Sequence, residues 1–367
     1  MIWQRLLFGS LMILAVFGAL ALDATMSAPR AGSSATAASL TAASAASASQ
    51  PTTAGLPITL LITAIIILAT VEMGHLCKHA AMSTAMGTGE QTLGVGEPSV
   101  GDLPLATPRR HGPIVIWAAF VAVGLVFVPW IEMQARQERM VPLFGAVMQQ
   151  MSPTVVWIAC GVLGACLATL ARQTTERALS NMAMTVFMFL YLGLLASFWV
   201  RIRCLSPGPI GALLLVYVIM TIKASDIGAF FTGRAIGRHK LAPWLSPGKT
   251  IEGAFGAIAG SVLVAVVGMA VWPKLVGIMT AMVGPSGLLG AGQLSAPFTL
   301  TQAAVFGALM AIAGHLGDLV ESAFKRDMHI KDSGRLVPAF GGILDLIDSP
   351  LFAAPIAWLL LTLWSRF

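Results

Sequence analysis

Four carboxylates stand in two pairs of equal spacing, Asp318 with Glu321 and Asp345 with Asp348. Residues three and four apart share a helix face, so each pair would present two acids side by side, and Ser322 and Lys325 extend the first face. Crowded carboxylates repel one another. Magnesium resolves that, because it takes oxygen ligands from one or two carboxylates and from substrate phosphates. Between the pairs the chain breaks at Lys331-Asp332-Ser333-Gly334, Pro338 and Gly341-Gly342. Two antiparallel helices joined by such a re-entrant connection would bring both pairs together. The bland alternative is a solvated loop in which Lys325, Arg326, Lys331 and Arg335 neutralise the acids. Position favours the metal. Ten of the 38 charged residues fall within 318–349, between apolar runs, and ionisable groups beside a bilayer are usually functional.

A basic cluster precedes the acids in KASDIGAFFTGRAIGRHKLAPWLSPGKTIEG, from Lys223 to Gly253. Its end predicts a helix start, with Ser246 as cap, Pro247 in the first helical position, and Lys249 and Thr250 in the first turn. Free backbone N–H groups beside a lysine bind anions. This is not a Walker A loop, because Pro243 stands where a glycine is required. Arg234, Arg238, His239 and Lys240 supply more positive charge than a cap needs, as a polyphosphate surface would. The acids and this loop thus read as the two halves of a magnesium–phosphate site.

The elements that must position these groups are membrane helices. Only 10% of the residues are charged and 57% are hydrophobic, whereas soluble domains carry about 25% charged residues. The expected fold is an all-α polytopic integral membrane protein with about nine transmembrane helices, near 6–22, 55–71, 114–131, 153–170, 182–200, 209–222, 253–272, 298–316 and 350–364. The interrupted stretch 275–293 is not counted. With nine spans, fifteen of the 22 Lys and Arg residues fall on one side, so the N-terminus and both clusters are expected in the cytoplasm and the protein in the cell (inner) membrane. The first run also reads as a signal peptide, which leaves the topology unchanged. Residues 24–56 read as a low-complexity Ala/Ser/Thr linker and 83–112 as a loose polar loop. The division expected is a first span (1–23), the linker, membrane helices over 57–209 and a catalytic membrane region over 210–367.

Several features carry no chemistry. Four cysteines form no CxxC pair. His75 and His79 around Cys77 read as interfacial polar residues rather than a metal site, and Gly253, Gly256 and Gly260 as a close-packing stripe. No basic stretch is interleaved with aromatics, so nucleic acid is not an expected partner.

The two charged blocks together resemble the phosphatidate cytidylyltransferase (CDP-diacylglycerol synthase) family. The first match runs from Ser225-Asp226 to Gly253. The second is that family's C-terminal signature, with Ser322, Lys325, Arg326, Lys331, Asp332, Pro338, Gly341, Gly342, Asp345 and Asp348 in matching positions. Order and spacing agree over about 210–367. Phe340 replaces the signature's histidine and Leu346 its arginine, read as subgroup variation.

The resemblance implies transfer of CMP from CTP to phosphatidate, giving CDP-diacylglycerol and pyrophosphate in phospholipid biosynthesis. It implies catalytic roles for Asp318, Asp345, Asp348, Lys325 and Lys331, and magnesium on Asp318, Asp345, Asp348 and Glu321, a second cation being left open. Asp226, Arg234, Arg238, Ser246, Lys249, Thr250, Glu252, Ser322, Arg326 and Asp332 are the substrate-binding candidates. Lys249 and Arg238 would take the CTP tail, and Lys325, Arg326 and Lys331 the lipid head group. The implied partners are CTP, phosphatidate and the bilayer; a homodimer is left open. One rival is another CTP-dependent lipid transferase, such as a polyprenol or dolichol kinase. The other is a transporter, which would carry acids in mid-span and an internal repeat; Glu72 and Asp226 lie near span ends, and no repeat is visible.

Overall fold

The computed structural model describes residues 18–19, 22–23, 55–90, 112–137, 152–171, 178–206, 209–283, 296–328 and 342–364. Most of the expected first span, the linker over 24–54, most of the 83–112 loop, and Lys331, Asp332, Pro338, Phe340 and Gly341 lie outside these residues, as do the side chains of Cys77 and His79. Among the described residues, eight helices are long and apolar enough to cross a bilayer. They are α1 (Leu56–Glu90), α2 (Gly112–Gln137), α3 (Pro153–Leu170), α4 (Ala178–Arg203), α5 (Pro209–Ile236), α6 (Ile251–Val283), α7 (Leu300–Asp327) and α8 (Leu344–Trp364). Each matches one expected span. The fold is an all-α polytopic membrane protein, as bilayer physics requires of a chain whose backbone groups must pair within each segment.

Three boundaries differ from the sequence reading. Helix α1 continues through 83–90, because Ala- and Met-rich sequence holds no proline before Pro98. Helix α5 runs on to Ile236, so Asp226 and Arg234 are helical rather than part of a loop. Lys223 and Asp226 pair at 3.1 Å along its surface, which lets charged residues continue the helix. Helix α6 extends to Val283 through Pro273, absorbing the start of the 275–293 stretch.

Between apolar helices in lipid, close packing and hydrogen bonds replace the hydrophobic drive. The glycine stripe serves that purpose. A Cβ on Gly256 would lie 2.1 Å from Thr232 Oγ1, and one on Gly228 would lie 2.3 Å from the Gly256 carbonyl, so α5 and α6 touch backbone to backbone. Ser261 Oγ lies 2.7 Å from the Gly307 carbonyl and 3.1 Å from that of Thr221, placing one hydroxyl where α5, α6 and α7 meet. Below this contact Tyr217 stacks on Phe306 and meets Trp272 edge-on. A second core gathers α1, α2, α4 and the start of α8 around Met73, Leu125, Phe189 and Leu344.

Candidate active site

The basic half is not the capped helix start that the sequence predicts. Ser246–Thr250 is strand β2, paired antiparallel with β1 (Lys240–Ala242) in a two-stranded hairpin. The helix begins later, at Ile251, and its cap is Thr250, whose Oγ1 accepts the Gly253 N–H at 3.1 Å. Pro247 suits an edge strand as well as a helix start, since it offers no N–H to either; the partner strand decided the outcome. Glu252 locks the hairpin to α6. Its carboxylate accepts the N–H groups of Arg238 and His239 at 3.1 and 3.2 Å, and lies 2.6 Å from His239 Nδ1.

Near the end of β2 Lys249 is partly buried, and its Nζ meets Asp318 Oδ2 at 2.7 Å. That contact joins the basic hairpin to the acidic helices. Arg326 adds a second tie, its Nε donating to the Leu245 carbonyl at 3.3 Å. Arg234 and Arg238 are exposed, Arg234 lying 6.0 Å over the Phe230 ring. Ser246 and Ser322 are half-buried, and Asp226 is held by Lys223.

Helices α7 and α8 pack together, the condition under which acids of the two pairs can meet. Gly317 makes the approach possible: a Cβ there would stand 2.6 Å from the Asp348 carbonyl and 2.8 Å from Phe352 Cβ. With no side chain in the way, oxygens of Asp318, Glu321 and Asp348 come within 4.8 Å of one another. Glu321 and Asp348 are buried, only 2% and 4% exposed. Asp345 stands beside this trio. Lys325 pairs with both Asp345 and Glu321, the latter at 3.0 Å, and Asp345 Oδ2 accepts the Gly342 N–H at 3.1 Å.

These residues suit a hard divalent cation. Three carboxylates each offer an oxygen within 4.8 Å of the others, and two of them, Glu321 and Asp348, are shielded from water that would screen their repulsion. Lys249 and Lys325 offset part of the charge of four acids and leave an excess for an ion to balance. The geometry places Asp345 on Lys325 and groups Glu321 with Asp318 and Asp348.

The sequence reading gave Glu72 no role at the site. It lies on α1, is 2% exposed, and its Oε2 accepts the Ile343 and Leu344 N–H groups at 2.7 and 3.2 Å. A carboxylate at the positive end of a helix satisfies orphan donors and complements the dipole. It thereby anchors the turn of α8 that carries Asp345 and Asp348. The one available signal was an acid at the end of a long apolar run, with nothing to show where it reached.

An integral membrane bundle with a carboxylate cluster facing a basic hairpin defines a class, and comparison with known proteins gives the family. Residues 52–364 match the model of the cytidylyltransferase family, and the chain belongs to it. The chain is 33% identical over 211 residues to a phosphatidate cytidylyltransferase of Synechocystis, covering 51% of this chain and 64% of that protein. It is 37% identical over 177 residues to a phosphatidate cytidylyltransferase of Bacillus subtilis, covering 48% and 56%. An uncharacterized protein of Escherichia coli, YnbB, is 38% identical over 146 residues, covering 40% and 41%. The chain thus spans about half the length of these relatives.

Proposed function

We propose that this protein transfers CMP from CTP to phosphatidate, forming CDP-diacylglycerol and releasing pyrophosphate. The observation that carries the proposal is the contact between Lys249 on the hairpin and Asp318 on α7. It supports a site in which Lys249 would take a phosphate and Asp318 a metal ion, with a nucleotide bridging the two. Family membership and the two curated phosphatidate cytidylyltransferases support the substrate class.

A phosphate oxygen of phosphatidate bonds to the α-phosphorus of CTP, and the bond from that phosphorus to the bridging oxygen breaks. The nucleophile is already ionised, so the protein supplies positioning and charge rather than a general base. Lys249 is placed to hold the CTP tail, with Arg238 on the exposed side of the hairpin. Arg326, at the end of α7, is placed for a lipid head group at the membrane surface. Lys325 holds Glu321 and Asp345 at their spacing. Magnesium on Asp318, Glu321 and Asp348 would offset phosphate charge as the leaving group departs.

The decisive assay supplies purified protein with CTP, phosphatidate and magnesium. CDP-diacylglycerol with pyrophosphate supports the proposal; CDP as leaving group would move the protein to the lipid kinases. The site is further proposed to face the cytoplasm from the cell membrane, on the Lys/Arg distribution. A cysteine at position 246 should then resist an impermeant thiol reagent applied outside intact cells, and ready labelling would reverse the orientation.

A further inference from the structure

Helix α4 contains one π-helical turn, Phe189–Leu194. Such turns are costly departures from α-helical geometry and often mark functional sites. Tyr191 lies within it and is 6% exposed. Its ring stacks on Phe187 at 5.4 Å and meets Phe324 edge-on at 5.5 Å. Phe324 stands on α7 between Glu321 and Lys325.

The hydroxyl is the unexplained part. It is fully buried and has no hydrogen-bond partner among the described residues, and its ring packs on Phe324, three positions from Glu321 on α7. The chain's other tyrosine is different: the Tyr217 hydroxyl donates to the Ala265 carbonyl at 3.3 Å. A buried donor without an acceptor is destabilising, and phenylalanine would keep every ring contact without it.

We propose that the Tyr191 hydroxyl is a hydrogen-bond donor for a phosphate oxygen bound at the carboxylate cluster. This rests on reading the cluster as a metal–phosphate site. A buried donor packed against the face of α7 that carries Glu321 needs an acceptor, and a phosphate oxygen arriving with the balancing cation is one. Lys325 is already engaged by Glu321 and Asp345. A neutral donor adds a contact to phosphate without competing for those acids. Both substrates carry a phosphate, so the chemistry is shared and the test separates them.

The test is Tyr191→Phe in the full-length protein, beside native protein and Asp318→Asn. Turnover is measured against each substrate, as is the thermal shift produced by CTP with magnesium and by phosphatidate. Without substrate the variant should melt at or above the native temperature. Its kcat/KM should fall about tenfold to hundredfold, as loss of a hydrogen bond to a charged group does. A weakened response to CTP alone assigns the nucleotide phosphate, and one to phosphatidate alone assigns the lipid phosphate. Unchanged turnover and shifts overturn the inference. So does a lower melting temperature without substrate, which would mean the hydroxyl has a structural acceptor. If Tyr191→Phe is unaffected while Asp318→Asn is inactive, this inference alone fails; if both stay active, the reading of the cluster fails as well.

Discussion

Replacing Asp348 by asparagine separates a metal site from a merely structural group of acids. Glu321 and Asp348 are both buried, and their oxygens lie within 4.8 Å. At an effective dielectric of about 20, two such charges repel by at least about 3.5 kcal/mol. Lys325, 3.0 Å from Glu321, offsets part of this. The amide is nearly isosteric, and its oxygen still accepts the Ser349 N–H that Asp348 Oδ1 now accepts. Without magnesium, Asp348→Asn should therefore melt no lower than native protein. The cost falls on function. Losing a ligand that helps offset phosphate charge should reduce turnover by a factor of about 100 to 1000, or about 3–4 kcal/mol. Magnesium should stabilise native protein by about 2.7 kcal/mol at a hundredfold excess over Kd, and in Asp348→Asn this stabilisation should shrink or vanish. The assays are thermal unfolding with and without magnesium, and CDP-diacylglycerol formation. Turnover within a factor of about three of native would refute the reasoning, as would a large fall in melting temperature without magnesium.

The other contacts give shorter tests. Lys249→Met should raise the KM for CTP at least about tenfold, the loss of a charge-assisted phosphate contact, and that for phosphatidate much less; an unchanged CTP response would leave Lys249 as a structural partner of Asp318. Glu72→Ala strands the Ile343 and Leu344 N–H groups, so it should cost about 1–3 kcal/mol of stability and reduce turnover by misplacing Asp345 and Asp348. Glu72→Gln keeps an acceptor oxygen and should recover most of both, as read by unfolding and activity. Gly317→Ala pushes a methyl against the Asp348 carbonyl and should cost about 1–3 kcal/mol by overpacking. It should also weaken magnesium dependence by parting α7 from α8, measured as the half-saturating magnesium concentration.

Part of this protein is written locally. Its spans were legible because crossing lipid demands a continuous apolar helix whatever else surrounds it. The matched acids of α7 and α8 were legible because a spacing of three fixes a shared face before any partner is known. Glycines 253, 256 and 260 announced close packing for the same reason, and α5 fills the space they leave.

What the tertiary structure decided depends on partners remote in the chain. SPGKT is compatible with a helix start and with an edge strand, and pairing with Lys240–Ala242 made it a strand. Lys249 then faced Asp318, a pairing no local pattern encodes. Glu72 reaches the start of α8 across 271 positions, so its role was invisible until the bundle placed α1 there. Which acids come together was likewise undecided by spacing. Lys325 claims Asp345, and the backbone contact at Gly317 brings Asp348 beside Asp318 and Glu321. Helix periodicity selects a face, but only the packing of two helices selects which groups on those faces meet.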